Sequence, residues 1–350
     1  MIVEMNTNQR VMYCYSDEIL KYDYGDEHPL KVYRLKLAYE LSKAYNLFDN
    51  ITVVESEYCK DEDILKVHSS HYLYVLKQCN NGLCPPEAFF YNLDTSDNPI
   101  FPGVYDWSSI VCGSSLKGAK SILSGVCDIF FNIPGGLHHA FSEKASGFCY
   151  LNDIAVAIKY LVDNGKKVIY IDTDAHHGDG VEKIFYDTSK VMTISFHESG
   201  RFLFPGTGFE TDIGEGDGLG YSVNFPLYPY CDDDNFLRGF FEVVPPLIDA
   251  FKPDVLVTQL GVDCFHNDPL ATLNLTTISF EKIINFYKNL NIPWLALGGG
   301  GYNPANVARA WTLALAIMAG VDINDPVPES FDEIGPRKLY LTLEPIAVTK

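Results

Sequence analysis

Short apolar runs recur along the chain, and each gives way to a polar or glycine-rich turn and then a helical stretch. The β-type runs are VCDIFFNI (126–133), KVIYIDTD (167–174), VMTISF (191–196), DVLVTQLG (254–261) and PWLALGG (293–299). Helical patterning marks NDIAVAIKYLVDNG (152–165), FEKIINFYKNL (280–290) and NPANVARAWTLALAIMAG (303–320). In the first half it marks KVYRLKLAYELSKAYNLF (31–48) and EDILKVHSSHYLYVLKQC (62–79). Strands alternating with helices predict βαβ units and an α/β fold with a central, mainly parallel sheet. In such sheets ligands gather beyond the carboxyl ends of the strands. All five run ends carry reactive side chains: PGGLHH, DAHHGD, HESGRF, VDCFHND and GGGGY.

Composition narrows the field. A length of 350 residues allows one large α/β domain or two ordinary ones, and no low-complexity linker or repeat divides the chain. The net charge of −20, from 26 basic and 46 acidic residues, argues against a nucleic-acid binder, which needs a basic footprint. Nine cysteines form no CxxC pair, so the chain reads as reduced and intracellular, placed in the cytoplasm. The start MIVEMNTNQRVMYCYS lacks the features of a signal peptide. The longest apolar run, AWTLALAIMAGV, is too short to span a bilayer, so no membrane is expected.

The densest polar cluster is IDTDAHHGDG (171–180). Buried carboxylates and imidazoles are costly unless paired or metal-bound. Alternate residues of an extended chain face one way, which would turn Asp172, Asp174 and His176 toward one site. Asp263, after another strand, is the best candidate to complete it. An Asp–His–Asp set leaves a coordination position open, as a catalytic metal requires. Zinc fits, and ferrous iron or cobalt accept the same donors. The adjacent His138 and His139 suit a general acid–base pair, a second metal clip or a surface position, and Asp172 and Asp179 are available to orient them. LGGGGYN (297–303) is no phosphate loop, because Asn303 stands where the last glycine belongs and no Gly-Lys-Ser/Thr follows. It delivers Tyr302, either a buried phenol or a donor to oxyanion charge. Phe148 and Phe204, in loops, either wall an apolar slot or pack in the core.

Taken together, GGLHHAFSEKASGFCYLNDIAVAI, VIYIDTDAHHGDGVEKIFYDTSKVMTISFHESGRFLFPGTG, LGVDCFHNDPLATLNLT and LALGGGGYNPANVARAW resemble the histone deacetylase superfamily. The resemblance runs from YDYGDEHPLKVYR to about residue 320, and NLDTSDNPIFPG and DPLATLNLTT are most similar to bacterial acetoin-utilisation deacetylases. It implies a single arginase–deacetylase-type domain over residues 1–350 that hydrolyses Nε-acyl-lysine amides in proteins or peptides. An acetylated metabolic enzyme, such as an acetyl-CoA synthetase, would be a natural substrate. Zinc would sit on Asp174, His176 and Asp263. His138 and His139 would be the tandem histidines, with Asp172 and Asp179 behind them, and Tyr302 the transition-state tyrosine. The acyl-lysine tunnel matches Gly147, Phe148, Phe204 and Leu270, the rim aspartate Asp97, and the internal-cavity arginine Arg34. One potassium site matches the side chains of Asp172 and Ser195 with the carbonyls of Asp174, His176 and Phe196. A second matches the carbonyls of Phe185, Thr188, Val191 and Tyr221. His266 stands where the family often has a small or apolar residue, and reads as a rim position with no assigned role. Three rivals remain: an acetylpolyamine deacetylase, disfavoured by Leu270 where such enzymes place an acidic gatekeeper; an arginase-like hydrolase, disfavoured by the spacing of Asp179 from His176; and a non-catalytic acyl-lysine binder, disfavoured by an intact motif set.

Overall fold

The apolar runs form strands whose residues are buried on both faces, the pattern of a sheet covered by helices on each side. The computed structural model describes residues 9–343. Its strands are β1 (Val11–Cys14), β2 (Thr52–Val54), β3 (Ile129–Asn132), β4 (Val168–Asp172), β5 (Val191–Glu198), β6 (Ser222–Leu227), β7 (Val255–Gln259) and β8 (Trp294–Leu297). They pair in the order β2-β1-β3-β8-β7-β4-β5-β6, and every pairing is parallel. The expectation of a mainly parallel sheet is met.

The helices are α1 (Tyr33–Ala44), α2 (Asp61–Ile64), α3 (Ser70–Gln78), α4 (Val104–Leu123), α5 (Asp153–Asp163), α6 (Asp179–Ile184), α7 (Asp233–Phe251), α8 (Thr277–Asn289) and α9 (Pro304–Ala319). Helix α9 packs on α1 and α8, and α4 packs on α5. Local chemistry sets several ends. The Asn152 side chain caps α5 by accepting from the Ala155 N–H. Helix α9 starts with Asn303 as cap and Pro304 in its first turn, and it stops at Gly320 in a left-handed conformation.

The structure departs from the sequence pattern in several places. The stretch 62–79 is two helices, α2 and α3, because Ser69 caps a new start by accepting from the Tyr72 N–H. Helix α7 carries Pro245 and Pro246 in its interior, residues that normally argue against a helix. Helix α4 is rich in serine and glycine, which blur its periodicity; a Cβ at Gly113 would come within 2.0 Å of the Glu57 carbonyl. Strand β6 holds a proline, tolerated because it lies at the sheet edge. Strand β5 also runs two residues further than its apolar run, taking in His197 and Glu198.

The topology places the site. After β3 the chain crosses to β4, β5 and β6, then returns so that β7 and β8 fill the gap between β3 and β4. The carboxyl ends of β3, β8, β7 and β4 are therefore neighbours, although they span residues 132–297.

Candidate active site

Strand β4 ends at Asp172, in register with Ser195 of β5 and Gln259 of β7. Beyond it the chain turns through Asp174 and His176, and Asp263 arrives from the segment after β7. Ligating atoms of Asp174, His176 and Asp263 all lie within 4.8 Å of one another, and all three residues are buried. His176 Nδ1 lies 2.9 Å from Asp263 Oδ2 and 3.2 Å from Asp174 Oδ1. Asp172 does not join this set: its Oδ2 turns to His138 Nδ1 at 2.8 Å and accepts from the Tyr170 hydroxyl at 2.6 Å. Strand alternation therefore brings Asp172 to the site, behind His138, but not into the ligand set.

The donor set fits a divalent cation. Two carboxylates meet in a buried space, and burial together with Asp174 pushes the Asp263 carboxyl upward. Burial opposes a charged His176, yet Asp174 and Asp263 push its imidazole up to about 10. The field at this point strongly favours positive charge. Gly300 lets the carboxylates approach the β8 loop, since a Cβ there would lie 2.2 Å from Asp263 Oδ2. Its N–H instead donates to Asp174 Oδ2 at 2.9 Å.

The loop after β3 brings His138 and His139 alongside. His139 Nδ1 lies 2.7 Å from Asp179 Oδ1, and the two Nε2 atoms are 3.0 Å apart. If each Nδ1–H donates to its aspartate, one Nε2 must donate to the other, so the pair holds one extra proton. Burial disfavours that charge, but Asp172 and Asp174 outweigh it at His138 and push its pKa up to about 9. At His139 burial and then the neighbouring His138 push the value down to about 4. These opposite shifts favour the extra proton on His138 and a neutral His139.

Tyr302 follows the glycine run. Its ring meets His176 edge-on with centroids 6.4 Å apart and Phe148 at 5.7 Å. Burial, reinforced by Asp263 and Asp174, holds its phenol well above the ordinary value, so it keeps its proton at neutral pH. Arg34 is buried beneath, donating to the carbonyls of Gly301 at 2.8 Å and Gly299 at 2.7 Å. One small cavity is lined by Leu30, Gly147, Phe148, Cys149 and Tyr302 together with both histidines and Asp174.

The remaining candidates lie further out. Phe204 is 43% exposed and sets its ring edge-on to His139 at 5.1 Å. Leu270 is half-buried, and Asp97 is exposed. Ser195 Oγ lies 2.8 Å from His197 Nδ1. Of the second potassium set, Thr188 N–H donates to the Phe185 carbonyl at 3.4 Å, and the Tyr221 carbonyl accepts from the N–H of Thr193, two residues past Val191. His266 is half-buried, with a buried Nδ1 that has no partner.

Two contributors escaped the motif reading. Gln259 donates from Nε2 to Asp174 Oδ2 at 2.6 Å and accepts the Gly261 N–H at 2.7 Å. Nothing in the run VLVTQ set this amide apart from an ordinary polar strand end. Asp268 accepts the Tyr302 N–H at 2.8 Å and the Leu270 N–H at 2.9 Å, tying the phenol loop to the tunnel candidate.

Comparison with known proteins agrees with this geometry. A histone deacetylase domain model matches residues 28–318. Histone deacetylase B of Dictyostelium discoideum is 40% identical over 333 residues, covering 93% of this chain and 78% of that protein. Acetoin utilization protein AcuC of Bacillus subtilis is 39% identical over 325 residues, 91% of this chain and 84% of that one. The crystal structure of an HDAC homolog from Aquifex aeolicus superposes with a TM-score of 0.87 at 36% identity, covering 91% of this chain and 86% of that one. Eukaryotic and bacterial relatives are thus about equally similar, and the narrower likeness to acetoin-utilisation proteins is not singled out.

Proposed function

Since the chain belongs to the histone deacetylase family, we propose that it removes acetyl or related acyl groups from lysine side chains of proteins or peptides, as a single catalytic domain. The observation that carries this reading is the buried Asp174–His176–Asp263 set beside a histidine pair in which each ring is backed by its own carboxylate. These three residues would hold the metal. Zinc is the first assignment, with ferrous iron and cobalt compatible with the same donors. A cation there supplies Lewis acidity, polarising the acyl carbonyl and easing deprotonation of water.

The chain's own groups do the rest. His139 Nε2 takes the proton of the attacking water and then delivers it to the departing lysine amine. His138, held as an imidazolium, supplies positive charge close to the reacting atoms. Asp172 and Asp179 fix the orientation of the two rings. The Tyr302 hydroxyl donates to the oxyanion that forms on the acyl carbon. Phe148, Phe204, Gly147 and Leu270 would line the slot for the lysine stem, and Asp97 would hold the substrate backbone at its mouth. The register of Asp172 beside Ser195 supports potassium at that point, as a structural ion. All nine cysteines are unpaired, which agrees with a cytoplasmic setting. Among the described residues no helix is long and apolar enough to cross a membrane.

The test is acetate release from an acetyl-lysine peptide by the zinc-reconstituted protein, with acetylated putrescine and spermidine in parallel. Peptide turnover that a chelator abolishes is expected. Turnover of the polyamines alone would replace this reading with the polyamine one, and turnover of neither would overturn it.

A further inference from the structure

Phe148 is a bulky residue in a conformation that side chains of its kind rarely adopt: its φ is +71°. Such backbone persists only when its surroundings over-determine it, and it clusters at functional sites. Its N–H, its carbonyl and its ring are each held. The Phe148 N–H donates to Asn98 Oδ1 at 3.0 Å. Its carbonyl accepts from the Tyr24 hydroxyl at 2.9 Å, and that hydroxyl in turn accepts from Trp107 Nε1 at 2.8 Å. Its ring meets the edge of His28 at 4.5 Å and of Tyr302 at 5.7 Å.

Two of these holders also grip the segment that bears Asp97. Asn98 is fully buried and adjoins Asp97 in the chain. Its carbonyl accepts the N–H groups of Asp94 and Thr95, its own N–H donates to Thr95 Oγ1, and its Nδ2 donates to the Asn92 carbonyl at 3.2 Å. The side chain of Asn98 is thus the bridge from this tight turn to Phe148. His28 makes a second bridge. Its Nδ1 accepts the Leu30 N–H, so Nε2 carries the proton and donates to the Asp97 carbonyl at 3.2 Å while the ring lies against Phe148.

We infer that Asn98 is a positioning residue that locks the Asp97 turn and the strained Phe148 wall into one rigid unit, so that recognition at the mouth and fit along the slot are set together. The inference rests on the reading of Asp97 and Phe148 as substrate-binding groups. It gives the strain a purpose: a left-handed Phe148 presents its ring to Tyr302, and Asn98 keeps it there. Asn98 touches no reacting atom, so on a substrate with no backbone for Asp97 to hold, its effect must pass through Phe148.

Two substrates separate the parts: an acetyl-lysine peptide, and N-butylacetamide, which keeps the stem and amide but has no peptide backbone for Asp97. Asp97→Ala should lower kcat/KM on the peptide alone. Asn98→Ala should lower it on both, by about tenfold and mainly through KM, the scale of one lost hydrogen bond. On N-butylacetamide, in a Phe148→Ala background, the same change should cost less than about twofold, the signature of action through Phe148. Tyr24→Phe, which removes the second tie and nearly keeps the shape, should act in the same direction if Asn98→Ala fails to fold. A crystal structure of the Asn98 variant, or of the Tyr24 variant in its place, should show Phe148 away from positive φ and its ring withdrawn from Tyr302. An unmoved Phe148, or equal losses with and without the Phe148 ring, would overturn the inference. Loss of thermal stability with an unchanged KM per folded site would also overturn it. If the wild-type enzyme turns over neither substrate, the deacetylase reading falls by itself, and the variant's structure alone decides whether Asn98 positions Phe148.

Discussion

The floor of the site and its wall are built by opposite means. The floor comprises Asp172, Asp174, His176, Asp263, His138 and His139, each less than a tenth exposed and held by charged hydrogen bonds to groups at neighbouring strand ends. The outer part of the proposed wall and mouth, Phe204, Leu270 and Asp97, lies on loops and is partly open to water. A buried charge misplaced by an ångström has no solvent to rescue it, whereas an exposed aromatic loses a contact and little more. Chemistry should therefore fail sharply when the floor changes, and selectivity should drift gradually when the wall does.

Substitutions can break this contrast, beginning with the metal set. Asp263→Ala should abolish both metal retention and acetate release, measured together by elemental analysis and assay; a variant that kept its ion would remove Asp263 from the ligand set. Tyr302→Phe should retain its metal and lose about 10²–10³ in kcat, the usual effect of deleting one oxyanion donor. Near-full activity there would dismiss the assigned role. Next comes the proton balance of the pair. His138 stays protonated below about 9 and His139 neutral above about 4, so kcat/KM should be broad across neutral pH. Burial already works against the His138 charge, so Asp172→Asn removes a group that raises its pKa and should shift the alkaline limb to lower pH. An unmoved alkaline limb in the pH–rate profile would detach His138 from it. Smallest of all, Phe204→Ala should raise KM about two- to tenfold with kcat nearly unchanged, the value of one aromatic contact. A collapse of kcat instead would move Phe204 from wall to floor.

The same contrast explains what the sequence could reveal. Asp174, His176, His138 and His139 stand out because charged residues crowd the ends of apolar runs, and a buried charge needs a reason. Asp263 was readable once a second strand end was required to supply a partner. Gln259 and Asp268 were not, because an amide or carboxylate in a loop or strand end is ordinary until a partner tens of residues away arrives beside it. Asn98 hid for the same reason: its role depends on Phe148, fifty positions downstream. Strand β6 and helices α4 and α7 were missed where proline, serine or glycine contradict local preference and tertiary packing overrides it. The likeness of whole motifs supplied the roles of the wall residues, which no local pattern assigns.

The late insertion of β7 and β8 between β3 and β4 has a consequence for synthesis. A ribosome that has delivered the chain as far as Phe251 has released both flanking strands, each with two apolar faces and one unpaired edge where its central neighbour belongs. Those edges are natural templates for pairing with other nascent chains. Until Leu297 emerges the sheet lacks its two central strands, and a holding chaperone would be needed most over that interval of translation.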